Sequence, residues 1–156
     1  YEELTTTAKM ELTTALEMDR NFAFAHYVLG LVYLQKPTLG DPAEEFQRAV
    51  ALEGGNPRYM ASLGIAYATA GKPSKASKIL SDLQELSRRR YVSPVWKALI
   101  LACMGGKKEE VIEALERGFE DRYEDMFWLK VKPLYDPFRS EPRFQALLRR
   151  MNFPEK

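Results

Sequence analysis

The sequence predicts an all-α protein built from repeated helix pairs and closed by a C-terminal capping helix. The first observation is a Leu-Gly-x-x-Tyr pattern, present in "YVLGLVY" at 27–33 and again in "ASLGIAY" at 61–67. Its two glycines, Gly30 and Gly64, are 34 positions apart, a spacing typical of helix-pair repeats. The second observation is that no long stretch alternates between apolar and polar residues, as a half-buried strand would.

Proline directly after a capping residue indicates where several helices begin, because proline is well tolerated at the first helical position. Such a pair occurs at Asp41-Pro42, Asn56-Pro57 and Ser93-Pro94, with Lys72-Pro73 as a weaker form. The predicted helices cover residues 3–17, 22–36, 42–53, 57–70, 73–87, 94–104 and 107–119. A last helix is expected over 141–150, with Ser140 as its cap.

The repeated positions can be followed through three units. The first unit contains Leu29, Gly30, Tyr33, Phe46 and Ala49, and the second contains Leu63, Gly64, Tyr67, Gly71, Ala76 and Leu80. A third unit is more degenerate, with Leu99 in the glycine position and Ala102 in the tyrosine position. This pattern resembles the tetratricopeptide repeat family. The resemblance implies a right-handed superhelix over residues 1–120, with its first repeat partial, followed by a capping segment over 121–156.

The two repeated glycines have a physical explanation in close helix packing. Glycine inside a helix costs about 1 kcal/mol relative to alanine, so a requirement for space must offset that cost. Without a side chain at Gly30 and Gly64, the two helices of a pair can approach closely. Tyr33 and Tyr67 lie three residues further along the same helical side and fill the neighbouring gap. We therefore expect Tyr67 to be buried between helices.

The C-terminal segment differs from the repeats in its prolines and its clustered aromatic residues. One stretch within it contains Trp128, Leu129, Val131, Pro133, Asp136, Pro137, Arg139, Ser140, Pro142, Arg143, Phe144, Leu147 and Leu148. It is similar to the end of tetratricopeptide arrays in multidomain bacterial signalling proteins, where the array follows a kinase, cyclase or DNA-binding output domain. The tail also supplies Phe127, Tyr135 and Phe138, and we expect it to cover the apolar end of the array.

The composition argues against several classes of function. A net charge of +1 lacks the basic excess of a nucleic-acid binder, and the uncharged stretch 59–71 is too short to span a bilayer. The chain has one cysteine, Cys103, and one histidine, His26. It therefore lacks the spaced Cys and His ligands of a zinc site, and most histidine-based catalysis is excluded. We therefore expect a non-enzymatic protein without cofactor or metal, with His26 as a packing residue. The lack of a signal peptide or transmembrane segment favours a cytoplasmic location.

A partner-binding surface is expected on the first helix of each pair, because these helices line the concave face of stacked helix pairs. The side chains predicted there are Phe24, Tyr27, Leu31, Leu34 and Gln35 on helix 22–36, Arg58, Ala61, Ile65, Ala68 and Thr69 on helix 57–70, and Trp96, Ile100, Cys103 and Met104 on helix 94–104. Since this lining is mostly apolar, the expected occupant is a protein or peptide segment held by aliphatic and aromatic contacts.

Three alternatives to an open binding groove follow from the same residues. The concave face could enclose an apolar small molecule near Tyr27 and Trp96, which would make the chain a sensor domain. It could instead be filled by the chain's own tail, which carries Phe127, Trp128, Tyr135 and Phe138. The chain could also serve only as an architectural spacer or dimerisation unit.

The N-terminal helix aligns with the second helix of a unit. Ala8 lies 68 positions before Ala76, and Leu12 lies 68 positions before Leu80. The first helix of that unit is missing, and the sequence starts at Tyr1, so we expect a fragment of a longer repeat protein. Ala8, Leu12 and Ala15 should then lack a partner helix, and a homodimer through the truncated N-terminal helix is a possible partner arrangement.

Overall fold

The computed structural model describes residues 2–152, and the side chains of residues 5–152. Residues 1 and 153–156, at the ends of the predicted repeat region and tail, lie outside the described residues. Between 2 and 152 the chain is helical and contains no strand. It divides into two compact units, Tyr1–Arg89 and Arg90–Lys156.

The first unit contains five α-helices whose bounds agree with the predicted ones within two residues. They are α1 (Glu2–Met18), α2 (Ala23–Gln35), α3 (Pro42–Leu52), α4 (Pro57–Thr69) and α5 (Pro73–Ser87), with a short 3-10 helix at Pro37–Leu39. The most extensive contacts join α2 to α3 and α4 to α5, while α1 packs on α2 and α3 packs on α4. The unit therefore consists of packed helix pairs formed by neighbours in sequence.

The second unit contains one further helix pair and the C-terminal tail. Its helices are α6 (Pro94–Cys103), α7 (Lys108–Glu120) and α8 (Pro142–Arg150), with two 3-10 segments at Glu124–Lys130 and Pro133–Phe138. α6 packs extensively on α7, and the tail contacts both helices. The tail predicted as a separate capping segment thus belongs to the same compact unit as the last helix pair.

Helix starts follow the proposed capping chemistry at three of the four predicted places. The side chains of Asp41, Asn56 and Ser93 each accept a hydrogen bond from the backbone N–H two residues further on, whereas Lys72 makes no such bond. The predicted cap of the last helix is wrong. α8 begins at Pro142, so the residue before it is Glu141 rather than Ser140, and Glu141 makes no side-chain capping bond.

The space at Gly30 is filled by an aromatic ring, whereas the sequence predicts a close approach of two helix backbones there. A Cβ atom at this position would lie 2.6 Å from Cε1 of Phe46, well inside van der Waals contact. Phe46 itself is fully buried in α3. The missing side chain of Gly30 therefore makes room for the Phe46 ring between α2 and α3.

The tail splits its aromatic residues between core and surface. Tyr135, Phe138 and Phe144 are buried with residues of α6 and α7, and the Tyr135 and Phe144 rings lie 6.1 Å apart. Phe127 and Trp128, in contrast, remain 51% and 42% exposed. The tail thus contributes core to the second unit, but two of the four aromatic residues predicted to need burial stay in contact with solvent.

Candidate functional site

The predicted binding residues of the first unit form one stripe on α2 and another on α4. On α2, Phe24 is exposed and Tyr27, Leu31 and Leu34 are half-buried, with Gln35 exposed at the end of the helix. The α4 stripe has exposed Arg58 and Thr69 at its ends, half-buried Ile65 and Ala68 between them, and a buried Ala61. We call the α2 residues Phe24, Tyr27, Leu31 and Leu34 together with the α4 residues Arg58, Ile65, Ala68 and Thr69 the α2–α4 face.

Aromatic stacking joins α2 to α4 beneath the two stripes. Tyr27 of α2 stacks on Tyr59 of α4 with ring centroids 4.6 Å apart and an interplanar angle of 22°. Tyr27 also lies 6.0 Å from the fully buried Phe46 and 6.2 Å from Phe24. A run of rings therefore leads from the core to the solvent at Phe24, which is 54% exposed. Such a run holds an exposed aromatic side chain against a rigid support.

The α2–α4 face carries almost no charge. The α2 sequence contains no Asp, Glu, Lys or Arg, and α4 contains only Arg58. Next to Arg58, the Tyr59 hydroxyl donates a hydrogen bond of 3.5 Å to Oε1 of Glu53. Burial, and after it the Glu53 charge, raise the pKa of Tyr59, so this hydroxyl stays protonated at neutral pH. Tyr59 is itself buried, so the face offers apolar contact along its length and the cation of Arg58 at one end.

The predicted binding residues of the second unit are less accessible. Ile100 is fully buried, and Trp96 is half-buried, with its ring edge-on to Tyr123 at 5.8 Å. Met104 and Cys103 are half-buried at the end of α6. Burial raises the pKa of the Cys103 thiol, an effect that Lys132 partly opposes. A raised pKa leaves little thiolate at neutral pH, so the thiol is a poor nucleophile.

Sequence reasoning missed a buried polar pair behind the α2–α4 face. His26 of α2 and Glu45 of α3 are 5% and 8% exposed, and Nδ1 of His26 lies 2.6 Å from Oε2 of Glu45. The sequence predicts His26 as a packing residue and gives no sign that Glu45 is its partner. Because the two residues are 19 positions apart on different helices, only the three-dimensional packing brings them together.

The hydrogen bonds of His26 define where its protons lie. Nε2 is 3.1 Å from the carbonyl oxygen of Arg20, and a carbonyl can only accept, so Nε2 carries a proton and donates it. One further proton lies between Nδ1 and the Glu45 carboxyl. The pair thereby ties α2 to α3 and to the turn after α1. It forms part of the wall of a cleft of about 540 Å³ lined also by Thr13, Leu16, Glu17, Arg20, Leu29, Tyr33 and Arg48.

Removing Glu45 should destabilise the first unit. Glu45→Ala leaves a buried imidazole nitrogen without its partner, which costs about 1–3 kcal/mol of unfolding free energy. The matched control is Glu44→Gln on the exposed side of the same helical turn, which removes only an exposed ion pair with Arg48 and should lower the unfolding free energy by less than about 1 kcal/mol. Urea unfolding of both variants, followed by circular dichroism, provides the comparison. Equal stability of the two variants would show that the pair contributes nothing.

Comparisons with known proteins give no match. No protein-family model matches the chain, and no curated protein or solved structure matches it significantly. Within residues 2–152 no helix is long and apolar enough to cross a membrane. In the same part of the chain, no group of three or more His, Cys, Asp or Glu side chains is placed to hold a metal ion.

Proposed function

We propose that this chain is a tetratricopeptide-like interaction module that binds a segment of a partner protein on its α2–α4 face, without enzymatic activity of its own. The observation that carries the proposal is the run of rings from the buried Phe46 through Tyr27 to the exposed Phe24. Large aromatic side chains held rigidly at the edge of a core are the residues that most often dominate binding energy in protein interfaces.

The sequence repeat and the helix packing support the same proposal. The 34-residue spacing of Gly30 and Gly64, and the packing of Phe46 against Gly30, are what a tetratricopeptide-like unit requires. In the bacterial signalling proteins that the tail resembles, such arrays accompany an output domain. A regulatory or scaffolding role within a larger assembly is therefore part of the proposal.

The chemistry of the α2–α4 face defines the class of partner. A face with one cation, Arg58, one hydroxyl, that of Thr69, and otherwise aliphatic and aromatic side chains fits a segment that presents apolar side chains at regular spacing. An acidic residue at one end of that segment would lie near Arg58. A partner held mainly by charge is not favoured, because α2 carries no Asp, Glu, Lys or Arg to pair with it.

Site-specific photo-crosslinking in cells tests the proposal. A photoreactive phenylalanine analogue at Phe24 should crosslink the full chain to a discrete partner, and Tyr27→Ala in the same chain should reduce the yield about tenfold, in the range for an interface hot spot. The matched control places the same analogue at Gln84, an exposed position of α5.

The pattern of crosslinks separates the candidate functions. A partner crosslinked from position 24 and not from position 84 supports the proposal when its yield also falls in the Tyr27→Ala chain. Crosslinks only between two copies of the chain would indicate an architectural dimerisation unit instead. A yield that is equal from both positions, or insensitive to Tyr27→Ala, would show that the α2–α4 face is not the binding surface.

A further inference from the structure

The short 3-10 helix Glu124–Lys130 presents aromatic residues to solvent. Phe127 and Trp128 are 51% and 42% exposed, and Val131, directly after the helix, is 60% exposed. The Phe127 and Trp128 rings lie 4.6 Å apart, so they form one continuous apolar surface. We call Phe127, Trp128 and Val131 the aromatic patch. Three large apolar side chains exposed within five consecutive residues are a feature of interaction surfaces.

The geometry of the 3-10 helix explains which side chains are exposed together. In such a helix, side chains three positions apart lie one above the other. Met126 and Leu129 form one column of this kind, and both are buried in the core of the second unit. Another column consists of Glu124, Phe127 and Lys130, which are all exposed. The buried column therefore anchors the helix, while the other column is presented to solvent.

The charges of the exposed column make it complementary to an inverted copy of itself. Glu124 begins the helix, Lys130 ends it, and Phe127 lies midway, three residues from each. When a second copy is turned by 180° about an axis through Phe127, Glu124 of each copy lies opposite Lys130 of the other. The two Phe127 rings then meet at the axis. A two-fold contact needs a surface of this kind, because both copies contribute the same residues to it.

The residues beside the column extend the same order of charge. Asp125 is half-buried next to Glu124, and Lys132 is half-buried two residues beyond Lys130. Nζ of Lys132 lies 5.7 Å from the centroid of the Trp128 ring. The patch is therefore acidic at one end and basic at the other, with the rings between. A negatively charged membrane surface fits it less well, because such a surface would repel the acidic end.

We propose that the aromatic patch binds the aromatic patch of a second copy of this chain, in an antiparallel contact with Phe127 at the two-fold axis. The contact is small, because three apolar side chains of each copy form its centre, so the dimer is weak and forms at high protein concentration. It does not depend on the α2–α4 face, because all of its residues belong to the second unit.

Sedimentation equilibrium of the full chain tests the proposal. The average mass should rise from that of a monomer towards that of a dimer between about 20 µM and about 1 mM protein. Phe127→Ala should raise the dissociation constant of the dimer about tenfold. Because Phe127 is exposed, its truncation should leave the fold intact, so the loss of association reports on the contact between copies.

Charge reversal at low ionic strength tests the antiparallel order. Glu124→Lys brings positive charges opposite each other in the dimer, and Lys130→Glu brings negative charges opposite each other, so each variant alone should associate about tenfold more weakly. An equimolar mixture of the two variants restores both opposite-charge contacts in the mixed dimer. Its dissociation constant should return to within about threefold of that of the unchanged chain. Lys97→Glu, at an exposed position of α6, is the matched control and should leave association unchanged.

Three results would overturn the proposal. The first is an unchanged chain that remains monomeric up to about 1 mM, which would assign the patch to a partner of another kind. The second is a mixture of the charge variants that associates no better than either variant alone, because an antiparallel contact requires the rescue. The third is a dimer that Leu12→Lys in α1 abolishes and Phe127→Ala does not affect, which would place the contact on the N-terminal helix.

Discussion

Replacing Tyr67 by alanine should lower the free energy of unfolding of the first unit by about 3–5 kcal/mol, the usual cost of truncating a large buried aromatic side chain. Tyr67 is 7% exposed, and its hydroxyl accepts a hydrogen bond from the side-chain amide of Gln47 in α3. Nζ of Lys75 in α5 lies over the aromatic ring of Tyr67, 5.3 Å from the ring centroid. Truncation would therefore open a cavity between α3, α4 and α5.

Tyr67→Phe separates the ring from the hydroxyl. It keeps the packed ring and removes only the bond with Gln47, so it should cost about 1 kcal/mol. Since the chain divides into two compact units, a single melting temperature is a poor measure, and amide exchange of α4 and α5 reports directly on the first unit. If amide exchange were no faster in Tyr67→Ala than in Tyr67→Phe, the packing of this ring between the helices would not stabilise the first unit.

Phe144→Ala should have an effect of similar size on the second unit, about 3–5 kcal/mol. Phe144 is fully buried, and its ring lies 6.1 Å from Tyr135 and 6.4 Å from Phe138. Through these rings α8 and the Pro133–Phe138 segment share one core with α6 and α7. Loss of the Phe144 ring should therefore increase amide exchange throughout α6 and α7 as well as in α8.

The tail offers its own control for this experiment. Phe127 is an aromatic residue of the same segment that is 51% exposed, and Phe127→Ala should change stability by less than about 0.5 kcal/mol. If Phe144→Ala increased exchange in α8 alone, the tail would be an appendage to the helix pair instead of part of its core.

The helices were predictable because the signals that begin them are local. Asp41, Asn56 and Ser93 stand directly before prolines, and each caps the helix that follows. The cap predicted at Ser140 was wrong because Pro142 lies two residues after it, and the helix begins at this proline. Local sequence signals thus placed the helix ends to within two residues. At the last helix, the one residue between Ser140 and Pro142 moved the N-cap position from Ser140 to Glu141.

The candidate site was predictable only in part, because helical spacing shows which residues share a side and not what covers them. Ala61 and Ile100 belong to the expected stripes, yet both are buried. The same limit applies to the tail, in which Tyr135 is buried and Trp128 is not. The His26–Glu45 pair had no sequence signal, because its partners lie on different helices and only one of the repeats has this combination.

The packing of helices that are neighbours in sequence also has a consequence for folding kinetics. A contact between consecutive helices closes only a short loop, so little chain entropy is lost before the contact forms, and helical proteins of this kind fold in microseconds to milliseconds. Protection within such a unit need not be uniform. Because α1 has no buried side chain among residues 5–18, it should be the first helix of its unit to open and the last to become protected during refolding.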